Sequence, residues 1–267
     1  MGLMQLNELG LNKIEMAVEI IRQNATEPYF VCDSGGKDSD VVVDLIMNQA
    51  KVPADYHYNV SPIDPPQVHK FLKEFHPFTQ WDLHAKDFWQ KVDKKGLPTR
   101  TRRWCCEIIK EGGGSGRIVV TGVRWAESSK RACRRMLEPD KHDKTKRYLH
   151  PIICWTDVEV WEYIHKYNLP YNPLYDNGWK RIGCIGCPIA GAKTQRRELL
   201  AYPETAYKWK THATNFFNTH PESVEMYKTP ENFWNWWLSG KSVKKYLNEQ
   251  QMQLEIPKEV IKQEGMI

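Results

Sequence analysis

Six consecutive residues, Ser34-Gly35-Gly36-Lys37-Asp38-Ser39, follow the apolar run Pro28–Cys32 and open a stretch with Val41, Val42, Leu45 and Ile46 at helical spacing. Their types suit the gripping of a phosphate. Two glycines let the backbone approach an anion closely, and the amide groups at a helix start face it with the positive end of the helix dipole. Lys37 adds a cation and Ser34 and Ser39 add hydroxyls, while Asp38 offers a carboxylate for a magnesium ion bridging phosphates. A plain Gly-Gly turn with a polar helix cap would explain the glycines alone. It would not call for the whole hexapeptide at a strand-to-helix junction, whose spacing is neither that of a Walker loop nor G-x-G-x-x-G.

Four of the seven cysteines fall in two pairs. Cys105 and Cys106 are adjacent in Thr101-Arg-Arg-Trp-Cys-Cys-Glu-Ile-Ile-Lys110, and Cys184 and Cys187 form Gly183-Cys-Ile-Gly-Cys-Pro188. A C-x-x-C bounded by Gly and Pro lets two thiolates converge on one metal centre, and a second pair completes a four-thiolate set. Zinc and a [4Fe–4S] cluster both accept four cysteines. Neighbouring side chains diverge, which suits two irons of a cube better than one tetrahedral ion, so the cluster is favoured over zinc. Arg102, Arg103 and Lys110 would offset its negative charge. Buried cysteines beside a C-x-x-C redox pair are the plainer alternative. Cys32 and Cys154 read as core residues, and Cys133 as a surface thiol.

The elements that must position these groups follow from composition and periodicity. The chain has 267 residues, 41% of them hydrophobic, and a net charge of +5, compatible with phosphorylated ligands or nucleic acid. No apolar run is long enough to span a membrane. The N-terminal stretch reads as an amphipathic helix without the marks of a signal peptide, which predicts a cytoplasmic protein whose cysteines bind metal more readily than they pair. Strand-like segments at Pro28–Cys32, Ala54–Val60 and Arg117–Val123 alternate with helix-like ones at Lys37–Ala50 and Pro65–Phe75. That pattern predicts an α/β fold, a parallel twisted sheet with helices on both faces. After about Ile189 only helices are expected, near Thr194–Tyr202, Ala206–Asn218 and Pro230–Asn248. The division is thus residues 1–25 as an N-terminal helix, 26–190 as the nucleotide and metal domain, and 191–267 as a helical region. Lys130–Arg147 reads as a surface loop or irregular helix. Phe233, Trp234, Trp237 and Leu238 read first as a core face, with base stacking as the alternative.

The hexapeptide resembles the PP-loop of the ATP pyrophosphatases, enzymes that cleave ATP between its α and β phosphates. With Thr121-Gly-Val-Arg-Trp-Ala-Glu-Ser-Ser-Lys-Arg131, Pro151-Ile-Ile-Cys-Trp-Thr-Asp-Val-Glu-Val-Trp161, Leu169-Pro-Tyr-Asn-Pro-Leu-Tyr-Asp-Asn-Gly178 and the two cysteine pairs in order, residues 26–190 resemble the adenylyl-sulfate and phosphoadenylyl-sulfate reductase family. The resemblance implies an adenine nucleotide alpha hydrolase-like fold. It implies Cys105, Cys106, Cys184 and Cys187 as ligands of a [4Fe–4S] cluster, and Arg124, Glu127 and Arg131 in the nucleotide and phosphate segment.

Two departures shape the expected activity. Sulfonucleotide reductases attack with a cysteine on a C-terminal tail, whereas here the stretch from Pro188 to Ile267 contains none, and their loop usually lacks the lysine kept here as Lys37. The expectation is therefore an ATP pyrophosphatase with ATP, Mg²⁺ and a [4Fe–4S] cluster, adenylylating a substrate for sulfur transfer, with Lys37, Asp38 and Arg124 as catalytic residues. It resembles the branch linked to phosphorothioate modification of DNA. A sulfur-donor protein such as a cysteine desulfurase and a nucleic acid are candidate partners, and oligomerisation stays open. The alternatives are a sulfonucleotide reductase using Cys133 or a partner's thiol, and a non-catalytic nucleotide-binding module.

Overall fold

The computed structural model describes residues 2–8 and 10–255, so the tail Lys262–Ile267 lies outside the described residues. The chain divides into two compact units, the described residues of Met1–Ala85 with Ile109–Gly183, and those of Lys86–Ile108 with Cys184–Ile267.

The first unit is built on a six-stranded sheet: β1 (Tyr29–Cys32), β2 (Ala54–Asn59), β3 (Gln80–Asp82), β4 (Ile118–Val120), β5 (Leu137–Pro139) and β6 (Arg147–Leu149). Its order is β3-β2-β1-β4-β6-β5. All neighbours run parallel except the edge pair β5 and β6. The chain reverses direction of growth at β1, placing the loop that follows β1 at the switch point, where open α/β sheets bind ligands. α1 (Lys13–Asn24) starts later than the sequence suggests, because Asn12 and Glu15 form a reciprocal cap that fixes the first turn. α2 (Lys37–Asp44) continues as a π-helical stretch, Leu45–Ala50, and α3 (Pro66–Phe75) returns the chain to β3.

The core of this unit joins Tyr29, Val31, Ile118, Val120 and Leu149 of the sheet to Ile21, Val41, Val42, Leu45 and Ile46 and to Val160, Tyr163 and Ile164. A buried ion pair, Lys13 Nζ to Glu159 Oε1 at 2.7 Å, ties the start of α1 to the region around Trp155. The Lys130–Arg147 segment is more ordered than a surface loop, since it contains β5 and opens β6.

The second unit holds α4 (Phe88–Lys95) and all but the last residue of α5 (Trp104–Ile109). In the first unit follow the short α6 (Ser129–Ala132) and α7 (Asp157–Lys166). In the second follow α8 (Ala192–Ala201), α9 (Pro203–Thr219), α10 (Pro221–Tyr227), α11 (Pro230–Ser239) and α12 (Val243–Glu255). Its interior is aromatic: Trp209 lies 5.6 Å from Phe88 and 5.1 Å from Trp237 between ring centroids. Phe233, Trp234 and Trp237 are all buried, so the α11 stripe is core. The expected helix Pro230–Asn248 is two helices, interrupted at Gly240 with its φ of +64°.

Candidate functional site

The hexapeptide forms a tight turn from β1 into α2. Gly35 has a φ of +63°, and a Cβ there would also press to 3.2 Å of Leu72 Cγ, so glycine is required twice over. Ser39 organises the turn: its Oγ accepts from the amides of Ser34 and Gly36, each at 3.2 Å, and donates to the Gly36 carbonyl at 2.8 Å. The Lys37 amide donates to the Tyr175 hydroxyl at 3.0 Å. Burial pushes the Tyr175 phenol upward, so it stays a hydroxyl at neutral pH. Each of these amide bonds is one that an incoming phosphate oxygen can exchange for its own.

Two buried cations face the loop. Lys37 and Arg124 are each 3% exposed. Lys37 Nζ lies 2.9 Å from Asp157 Oδ1 and 3.5 Å from Asp38 Oδ2. Arg124 reaches Asp38 Oδ1 with Nε at 2.8 Å, Asp157 Oδ1 with Nη2 at 3.1 Å, and the Trp155 carbonyl with Nη1 at 3.3 Å. Burial alone would raise the Asp157 carboxyl, but the bond from Lys37 and the charges of Lys37 and Arg124 hold it below the usual carboxylate range. Among the described residues, Asp38 Oδ2 has only the long approach of Lys37. Gly122 lets the chain carrying Arg124 close on the loop, because a Cβ there would sit 2.7 Å from the Asp38 carbonyl carbon and oxygen.

Glu127 and Arg131 belong to the same corner. Glu127 Oε2 accepts from the Arg124 amide at 2.9 Å and pairs with Arg131. The structure thus brings together Ser34, Gly35, Gly36, Lys37, Asp38, Ser39, Arg124, Glu127 and Arg131. Asp157, Tyr175 and Gly122 had no role assigned from sequence, although each lies in a segment that carried the family resemblance.

All four paired cysteines lie in the second unit. A hydrogen bond with Cys106, burial, and then the charges of Cys106, Cys184 and Cys187 push the Cys105 thiol far up. Arg103 Nη2 approaches Cys106 Sγ at 3.6 Å. The C-x-x-C turn is held by buried polar groups: the Gly186 amide donates to Glu198 Oε2 at 3.0 Å, Gln195 Nε2 to the Gly186 carbonyl at 3.0 Å, and Trp209 Nε1 to the Ile185 carbonyl at 3.1 Å. Gly186 has a φ of +76° and lies against Leu199 and Trp209. The remaining cysteines are apart from this set: Cys133 is exposed, Cys154 packs at the edge of the core, and burial pushes Cys32 up to about 12.

A family model described as the phosphoadenosine phosphosulfate reductase domain matches residues 28–190, more than half of the chain. The chain belongs to this reductase family. Among curated members, the adenosine 5'-phosphosulfate reductase of Staphylococcus epidermidis is 30% identical over 68% of this chain and 81% of its own length. An uncharacterised protein of Methanocaldococcus jannaschii is 27% identical over 79% of this chain and 46% of its own. The chain spans about half the length of the first curated relatives that it matches. A crystal structure of the phosphoadenylyl-sulfate reductase of Candida auris with phosphate aligns over 68% of this chain and 98% of its own, at 19% identity and a TM-score of 0.49. Among the described residues of this family member, no helix is long and apolar enough to cross a membrane.

Proposed function

We propose that this family member binds ATP on the Ser34–Ser39 loop and transfers its adenylyl group to a substrate, releasing pyrophosphate, as the activating step of a sulfur transfer. The observation that supports this most is the pair of buried cations, Lys37 and Arg124, facing the loop. One cation suffices for a single phosphate, whereas two beside exchangeable loop amides suit a polyphosphate chain.

In the proposed step an oxygen of the substrate forms a bond to the α-phosphorus while the bond from that phosphorus to the β-phosphate oxygen breaks. Lys37 would take up charge on the departing pyrophosphate, and Arg124 would steady the α-phosphate, an electrostatic and positioning task. Ser34, Gly35, Gly36 and Ser39 would hold phosphate oxygens. Asp38 would hold Mg²⁺, which supplies charge neutralisation for the phosphates when bound. Cys105, Cys106, Cys184 and Cys187 would hold a [4Fe–4S] cluster, which supplies iron coordination for sulfur when bound. A cysteine desulfurase as sulfur donor and a nucleic acid as acceptor fit this scheme.

The resemblance to adenosine 5'-phosphosulfate reductases favours a second reading, reductive release of sulfite from adenylyl sulfate. There a thiolate, exposed Cys133 or one from a partner, forms a bond to the sulfur as the bond from sulfur to the AMP oxygen breaks. A second thiol then frees sulfite and leaves a disulfide. Anaerobic incubation with ATP, Mg²⁺ and nucleic acid, and separately with adenylyl sulfate and thioredoxin, separates the two. AMP and pyrophosphate from the first mixture support adenylylation. Sulfite from the second, with no pyrophosphate from the first, refutes it in favour of the reductase.

A further inference from the structure

Asp33, Asp40 and His76 converge next to the phosphate loop. Asp33 ends the run from β1, Asp40 lies in the first turn of α2, and His76 caps α3. They are 1%, 3% and 6% exposed, and one ligand atom from each lies within 4.8 Å of the other two. Asp33 is well satisfied: Oδ2 accepts from Thr79 Oγ1 at 2.7 Å and meets His76 Nδ1 at 2.7 Å, and Oδ1 accepts from the Gly35 amide at 3.3 Å. Asp40 is not. Neither of its carboxylate oxygens has a hydrogen-bond partner among the described residues.

A buried carboxylate without a donor is costly, and here a second carboxylate stands beside it. Only a proton or a cation relieves that arrangement. The donor set distinguishes them, because a proton needs no third ligand, whereas two carboxylates and an imidazole meeting at one point form a ligand set for a first-row divalent ion. The 2.7 Å separation of His76 Nδ1 and Asp33 Oδ2 is close to the roughly 3 Å edge between neighbouring ligands of an octahedral ion at about 2.1 Å.

We propose that Asp33, Asp40 and His76 bind one divalent transition-metal ion of the Mn²⁺ type, separate from the magnesium of the nucleotide and independent of it. Through Asp33 to the Gly35 amide, and through the Asp40 amide to the Gly36 carbonyl at 3.0 Å, such an ion braces both glycines of the loop. The ligands come from three elements that packing alone already assembles, so the site is preformed.

The full chain, treated with chelator and free of nucleotide, is titrated with Mn²⁺ while free Mn²⁺ is counted by its electron paramagnetic resonance signal. Mn²⁺ is poorly suited to the cysteine thiolates, which keeps that set out of the count. One ion is expected per chain, retained in Asp38→Asn and bound about 100-fold or more weakly in Asp40→Asn and His76→Gln. Asp40→Asn keeps the side-chain shape, and its melting curve reports folding directly: Mn²⁺ raises the wild-type midpoint and leaves that of Asp40→Asn unmoved. No bound Mn²⁺ in the wild type, or equal binding and equal midpoint shifts in Asp40→Asn, overturns the site and leaves Asp40 as a buried neutral acid.

Discussion

Lys37 and Arg124 carry their charges almost out of contact with water, and they share two carboxylates, Asp38 and Asp157, of which Asp157 has a side chain that is itself 62% exposed. An exposed acid bridging two buried cations is an exchangeable partner: a phosphate chain can take its place without stranding a buried charge. Because the Asp157 carboxyl is held low in the folded protein, its pairing is complete above the ordinary aspartate value of about 3.9 and is lost as pH falls through the lower folded value. Nucleotide binding should therefore show no inflection from Asp157 between about pH 5 and 8, and Asp157→Asn should leave the shape of the pH profile unchanged there; a midpoint near neutrality that vanishes in Asp157→Asn contradicts this assignment. The loop and Arg124 were legible from sequence, since local spacing and motif order carry them. Tyr175 was not, because its bond joins residues 138 positions apart, and no periodicity encodes a partner at that distance. Asp40 was passed over for a related reason: within a helix start it reads as an ordinary acidic first-turn residue.

At the scale of elements, strands β1 and β2 and helix α3 fell within a residue of expectation, because their apolar periods are strong, whereas β4 stops three residues short of the expected Val123 and the expected helix Lys37–Ala50 is α2 continued by the π-helical stretch Leu45–Ala50. The edge hairpin of β5 and β6 was hidden by its short, charged strands, and the N-terminal helix was drawn too long because leucines precede its true cap at Asn12. Two glycines make the positioning testable. Gly122→Ala forces a methyl to within 2.7 Å of the Asp38 backbone, so it should weaken ATP binding about 10-fold or more while far-ultraviolet circular dichroism stays unchanged; wild-type affinity would show that this close approach does not set the loop. In the second unit, the C-x-x-C turn is preorganised by Glu198, Gln195 and Trp209. Cys184→Ser should cost the anaerobically purified protein its visible iron–sulfur absorbance, together with its iron and acid-labile sulfide. Retention of both, or a wild type holding only zinc, removes the cluster from the scheme.

For the whole molecule, the phosphate loop belongs to one unit and the four cysteines to the other, and each unit is assembled from two separate stretches of chain. A linear reading cannot assign Lys86–Ile108 to the same unit as the C-terminal helices, since the burial of Phe88 and Trp104 with Trp209 shows itself only in three dimensions. The net charge of +5 is consistent with a polyanionic ligand but does not choose among them. The central claim is that the loop grips a chain of phosphates rather than a single one. Its most direct test is calorimetric titration of wild type and Lys37→Ala with ATP and with AMP, both with Mg²⁺. Lys37→Ala should fold normally, because Asp157 keeps Arg124 as a partner. The wild type should bind ATP at least about 10-fold more tightly than AMP, and Lys37→Ala should erase most of that preference. Equal affinity for the two nucleotides in the wild type, or a preference untouched by loss of the lysine, would contradict it.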